Sequence, residues 1–129
     1  MNNPEIQFTP LNGSSLYGGG YSSLIEIDDA KIVMDCGSCI SLLSPRMHLL
    51  DAQARAKVES ELESFLAGFE ATSDQVGAIL LSHGDFAHVG ALPLIAKRMG
   101  RPMRIICTQP VLKMGQMVLY DACINLNRY

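Results

Sequence analysis

The run Val76-Gly77-Ala78-Ile79-Leu80-Leu81, followed at once by the polar segment Ser82-His83-Gly84-Asp85-Phe86-Ala87-His88, constrains this chain more than any other feature. A short uncharged run with no apolar–polar alternation fits a strand covered on both faces, as in sheets flanked by helices. Residues 89–99 then read as a helix that Gly100 ends, with Pro93 tolerable only near its start. The unit places residues 82–88 as a loop at the carboxyl end of a strand, where sites in open α/β sheets lie.

The flanking sequence agrees with an α/β class. Residues 6–9 read as a first strand, 22–27 as a second and 31–34 as a third, with Asp28-Asp29 as the turn between the last two. Asp51 is a candidate N-cap for a helix whose apolar residues recur at Ala54, Val58, Leu62, Phe65, Leu66 and Phe69, with Gly68 as its stop. Residues 103–107 form another buried strand, and Pro110 opens a last helix towards Tyr129. Strands alternating with helices imply a layered α/β arrangement. No closing strand follows that helix, so residues 1–129 are expected to be a piece of a longer protein.

Composition narrows the function classes. Hydrophobic residues at 48% and charged residues at 18% suit a packed core and argue against disorder. The net charge of −3 and the lack of a long basic run argue against a free-standing nucleic-acid binder. The cluster Lys97, Arg98, Arg101 and Arg104 reads as a solvated edge. The opening Met-Asn-Asn-Pro-Glu has neither a basic start nor an apolar run, and no stretch has membrane-span character, so an intracellular protein without a membrane partner is expected.

Four cysteines, Cys36, Cys39, Cys107 and Cys123, are then expected to be reduced. Cys36-x-x-Cys39 lacks a closely spaced second pair and is a weak zinc or redox pattern; buried structural thiols are the simpler reading. Gly18-Gly19-Gly20 is not followed by a helix and does not read as a phosphate loop.

Within the loop, His83, Asp85 and His88 are potential metal ligands, because zinc accepts imidazole nitrogen and carboxylate oxygen. The plainer alternative is that both histidines bond backbone groups and pin the loop. Asp35, at the end of the third strand, has a similar plain role as a cap that accepts backbone N–H groups.

Ser82-His83-Gly84-Asp85-Phe86-Ala87-His88-Val89-Gly90, with the upstream Met34-Asp35-Cys36-Gly37, resembles the signature of the metallo-β-lactamase fold, Thr/Ser-His-x-His-x-Asp-His-x-Gly. Ser82, His83, His88 and Gly90 match it; Asp85 stands at the second histidine and Ala87 at the aspartate. The resemblance implies a partial αββα sandwich, the N-terminal half of such a domain, with the rest of the domain and any inserted second domain lying outside this sequence. In working relatives the aspartate holds the second metal and orients water, which a methyl group cannot do. Loss of a catalytic metal pair is therefore implied; zinc held by His83, Asp85 and His88 is the residual possibility.

Gly90-Ala91-Leu92-Pro93, then Lys113-Met114-Gly115-Gln116-Met117 and Tyr120-Asp121, is similar to the non-catalytic β-lactamase-like subunit of the cleavage and polyadenylation specificity factor. That resemblance implies an enzymatically silent, nuclear scaffold without a cofactor. It would pair with a catalytic sister and other 3′-end processing factors, and meet pre-mRNA through the complex. The alternative is an active or vestigial metal-dependent hydrolase using His83, Asp85 and His88. Met114, Met117, Val118 and Leu119 on the last helix are expected to serve core packing rather than a partner surface.

Overall fold

A computed structural model of the chain describes residues 5–12, 20–38 and 51–126. Gly18, Gly19, Cys39 and the expected helix end at Tyr129 lie outside the described residues. Strands β1 (Ile6–Asn12), β2 (Ser22–Ile27) and β3 (Ala30–Met34) form an antiparallel meander. Its β2–β3 turn is Asp28-Asp29, where Asp28 takes a φ of 50°, a conformation that aspartate tolerates better than branched residues do.

Helix α1 (Ala52–Ser73) then leads to β4 (Val76–Leu80), which pairs parallel to β3. Helices α2 (Phe86–Val89) and α3 (Leu92–Met99) lead to β5 (Ile105–Ile106), parallel to β4, and α4 (Gln109–Leu126) follows. The sheet order is β1-β2-β3-β4-β5. Both crossovers step the same way along the sheet, so connections of one hand place their helices on one face.

That face holds the core. Leu24, Val33 and Ile79 stand opposite one another on β2, β3 and β4. They pack in one cluster with Phe65, Leu66 and Phe69 of α1 and Ile95 of α3. Each such side chain contributes about 1.5 to 3 kcal/mol by leaving water. The fold is α/β with one helical layer on one sheet, half of an αββα sandwich, as expected.

Several boundaries differ from the sequence expectations. Asp51 caps α1 as expected, accepting from the Ala54 amide at 2.7 Å, but Gly68 does not stop the helix, which runs to Ser73. Phe69 continues the face begun by Phe65 and Leu66 and is 1% exposed; its burial outweighs the roughly 1 kcal/mol that an interior glycine costs. The expected helix 89–99 is divided, and its first turn begins inside the expected loop at Phe86. Pro93 has no N–H to give to the Val89 carbonyl, and the Ala91 amide turns instead to the Cys36 carbonyl at 2.9 Å.

The strand expected at 103–107 is only Ile105–Ile106, and both residues are exposed because β5 is an edge. Cys107 lies just beyond that strand and is partly buried. On β4, Val76 and Ile79 lie in the helix-side cluster, while Ala78, on the face of Leu80, is buried and Leu80 is partly buried. Met114 and Met117 are exposed at 58% and 72%, contrary to the core role expected for them, while Val118 and Leu119 do pack on the core. The basic cluster is not merely solvated: Arg98 ties α3 to α1 through Glu63 and Glu70, and Arg101 donates to the Ser73 carbonyl.

Candidate functional site

Three backbone segments meet at the carboxyl ends of β3 and β4. The Tyr21 amide donates to the Ala87 carbonyl at 2.7 Å, the Cys36 amide to the His88 carbonyl at 2.8 Å, and the Gly37 amide to the Tyr21 carbonyl at 2.9 Å. The approach is close enough to require glycines. A Cβ on Gly37 would lie 1.5 Å from the Ala87 oxygen, and one on Gly20 2.0 Å from the Gly37 carbonyl carbon. The loop 82–88 is thus set between residues 20–21 and 36–38.

On its other side the loop rests on α4. A Cβ on Gly84 would fall 2.6 Å from Met114 Cβ and 2.9 Å from the Gly115 nitrogen. Gly115 itself is buried, with Val89 as its ordinary neighbour. The segment Lys113-Met114-Gly115-Gln116-Met117 therefore seats the loop through Gly115, while its methionines face outward. Lys113, Gln116, Tyr120 and Asp121 are exposed on the same helix. Gly90 is equally constrained, since a Cβ there would meet the Phe86 carbonyl oxygen at 2.6 Å.

Asp35 follows β3 with a φ of 60° and is 6% exposed. One carboxylate oxygen accepts from the Ser82 amide at 2.8 Å, and the other from the Ser82 hydroxyl at 2.6 Å. The expected backbone N–H partner is present, together with a side-chain one. Because a carboxylate only accepts, the Ser82 proton points to Asp35, and Ser82 Oγ accepts from His83 Nδ1 at 2.8 Å. His83 is held in the Nδ1–H form.

His88 is held in the same form. Its Nδ1 donates to Asp85, 2.7 Å from Oδ1 and 2.9 Å from Oδ2. Partial burial raises the Asp85 pKa, but the His88 hydrogen bond and charge, aided by the nearby Ala87 amide and His83, outweigh it and leave the carboxyl below its ordinary range. The rings of His83 and His88 lie 4.5 Å apart, and Tyr21 stacks on His88 at 5.0 Å. Both histidines thus bond side chains, not the backbone groups expected in the plainer reading. Tyr21 has no motif or spacing that announces it in the sequence; only the fold brings it to His88.

A two-metal centre does not fit these residues. Ala87 supplies no donor atom, and both Asp85 oxygens are engaged by His88. Among the described residues, no group of three His, Cys, Asp or Glu side chains stands ready to hold an ion. Asp85 has the geometry of an orienting partner to an imidazole rather than of a replacement ligand. Cys36 is fully buried, and burial together with the Asp35 charge raises its thiol pKa far above the ordinary value. A neutral buried thiol is a poor nucleophile, which counts against a redox or nucleophilic role for Cys36.

A family model described as the metallo-beta-lactamase superfamily domain matches residues 24–128. Cleavage and polyadenylation specificity factor subunit 2 of Oryza sativa subsp. japonica is 35% identical over 122 residues, covering 94% of this chain and 14% of that protein. The probable subunit 2 of the same factor in Drosophila melanogaster is 33% identical over 105 residues, covering 76% and 10%. Transcription termination factor FttA of Cenarchaeum symbiosum (strain A) is 30% identical over 118 residues, covering 92% and 16%. The chain therefore spans only 10% to 16% of the length of these relatives. No helix among the described residues is long and apolar enough to cross a membrane.

Proposed function

This chain belongs to the metallo-beta-lactamase superfamily, and from that membership we propose that it serves pre-mRNA 3′-end cleavage and polyadenylation as a non-catalytic subunit. It pairs with a catalytic sister that keeps the full metal set, and reaches pre-mRNA through that complex. The nucleus is the compartment this role requires. Support for the process comes from the relatives named as subunit 2 of the cleavage and polyadenylation specificity factor, similar to this chain over most of its length.

One observation carries the silent role. Where the superfamily signature has a carboxylate, Ala87 offers a methyl group, and Asp85 at the histidine position is committed to His88 Nδ1. Metal-assisted hydrolysis by a two-ion site needs ligands on both ions. What remains is a loop braced by its own polar side chains, suited to holding shape.

Elemental analysis of the purified, chelator-free chain tests this, beside an Asp85→His, Ala87→Asp double variant. The expected result is no stoichiometric zinc in the parent and a gain in the variant. A parent that carries about one zinc per chain, lost on His83→Ala or His88→Ala, overturns the silent reading and makes the site a vestigial or active hydrolase centre.

A further inference from the structure

Tyr21, His88 and His83 form a run of ring contacts that the bracing of the loop does not need. Tyr21 lies against His88 at 5.0 Å and 27°, and His83 against His88 at 4.5 Å and 34°. The central ring is the enclosed one: the His88 side chain is 18% exposed, whereas Tyr21 is 54% exposed and His83 is exposed as well. Tyr21 precedes β2, and the histidines follow β4. The run therefore sits at the carboxyl ends of the strands, the side of an open α/β sheet where ligands bind.

Both imidazoles commit Nδ1 to the protein, His83 to Ser82 and His88 to Asp85. In the neutral ring a protonated Nδ1 leaves Nε2 as an acceptor. Among the described residues no hydrogen bond engages either Nε2. Asp85 stands beside them as a half-exposed carboxylate. It disfavours a phosphate at this place, as does the net charge of −3. The set offers ring faces and two acceptors with a negative neighbour, which suits an uncharged aromatic ligand with hydroxyl or amine donors.

We propose that this run is a stacking site for one unpaired RNA nucleotide, an inference that rests on the metal-free reading above. The base lies on the open face of Tyr21, and the Nε2 edges of the run accept from its ribose hydroxyls. Unpaired bases of single-stranded RNA pack on Tyr and His rings, and the 2′-hydroxyl is the group by which a protein tells RNA from DNA. Stacking tolerates any base, because every base has a ring face. The chain thus touches pre-mRNA directly within its complex, although it has no basic run to hold a strand alone. Affinity comes from one ring and not from phosphates, so it is low, with dissociation on the order of 1 mM. For the same reason it depends little on salt.

NMR titration of the whole 129-residue chain with pentauridylate, in chelator at about pH 8, tests the inference. The Tyr21 ring and the imidazole C–H resonances of His83 and His88 are expected to shift together. Tyr21→Ala weakens binding about fivefold or more, whereas Tyr21→Phe keeps the ring and the affinity. Pentadeoxyuridylate, with the same bases and no 2′-hydroxyl, binds about threefold or more weakly. Raising salt from about 50 to about 200 mM changes the affinity by less than about threefold, the effect of a single phosphate contact. Tyr120→Ala, at an exposed tyrosine of α4, leaves binding unaltered. A folded, zinc-free chain that takes no pentauridylate overturns the inference, leaves the silent role standing and assigns the acceptors to a protein's amine or guanidinium. Binding that survives Tyr21→Ala, or that is equal for the two pentanucleotides, overturns it too. Zinc content, measured on the same preparation before chelator is added, decides the metal-free reading separately.

Discussion

The Ala87 carbonyl oxygen occupies the place of a side chain on Gly37: a Cβ there would fall 1.5 Å from it. The residue that breaks the superfamily signature is thus locked by its backbone into the same crossing that holds the loop. Gly37→Ala must push residues 86–88 off residues 20–21, with loss of the Tyr21-to-Ala87 hydrogen bond. A destabilisation of at least about 2 kcal/mol in urea unfolding is expected. Gly68→Ala is the matched control: nothing lies within 4 Å of its Cβ position inside α1. That variant should gain about 0.5 to 1 kcal/mol.

Asp35 braces the loop and holds an unusual backbone conformation. Asp35→Ala removes both acceptors of Ser82 and puts a Cβ residue with no local hydrogen bond at a φ of 60°. A loss of about 2 to 4 kcal/mol is expected from the unsatisfied groups and the strain together. Asp35→Asn keeps one oxygen and tolerates the left-handed region, so its loss should be clearly smaller. Equal losses in the two variants, measured at an unchanged denaturant slope, would count against the bracing role.

Asp85 should titrate below an ordinary aspartate when followed by NMR, and His88→Ala should bring it back up. The sign of the stability effect follows. A depressed folded-state pKa contributes stability above the unfolded value of about 3.9, and that contribution is lost as pH falls through the folded value. The pair is partly open to solvent, so the effect belongs at the small end for ion pairs and should shrink with salt. An Asp85 that titrates at or above the ordinary value contradicts the pair.

Thiol labelling should separate the cysteines. Cys123 is exposed and should react in the native protein, whereas Cys36 is buried with a raised thiol pKa and should react only after denaturant is added. Site-resolved mass spectrometry reads both. Native-state modification of Cys36 at a rate near that of Cys123 would show that residues 36–38 open readily and that the loop is not braced as described.

How far these features were visible in the sequence depends on how local their causes are. The strand–loop–helix unit around residues 76–99 and the Asp51 cap come from spacing and capping chemistry within a few residues, and both are present. The Asp85–His88 pair also had a local sign in its separation of three residues, although both residues read in the sequence as joint candidate metal ligands with His83. The Gly68 stop failed because Phe69 buries against a distant sheet. Tyr21 stacking on His88 has no local sign at all.

By itself, then, the sequence determined the α/β class, the superfamily and the missing signature carboxylate at position 87, because each is carried by residue types in short order along the chain. Only the tertiary structure decided what Asp85 bonds, why residues 20, 37 and 84 must be glycine, and which sheet face the helices cover. Those depend on contacts between segments far apart in sequence, and on which side of the sheet both crossovers place their helices, and neither is written in local spacing.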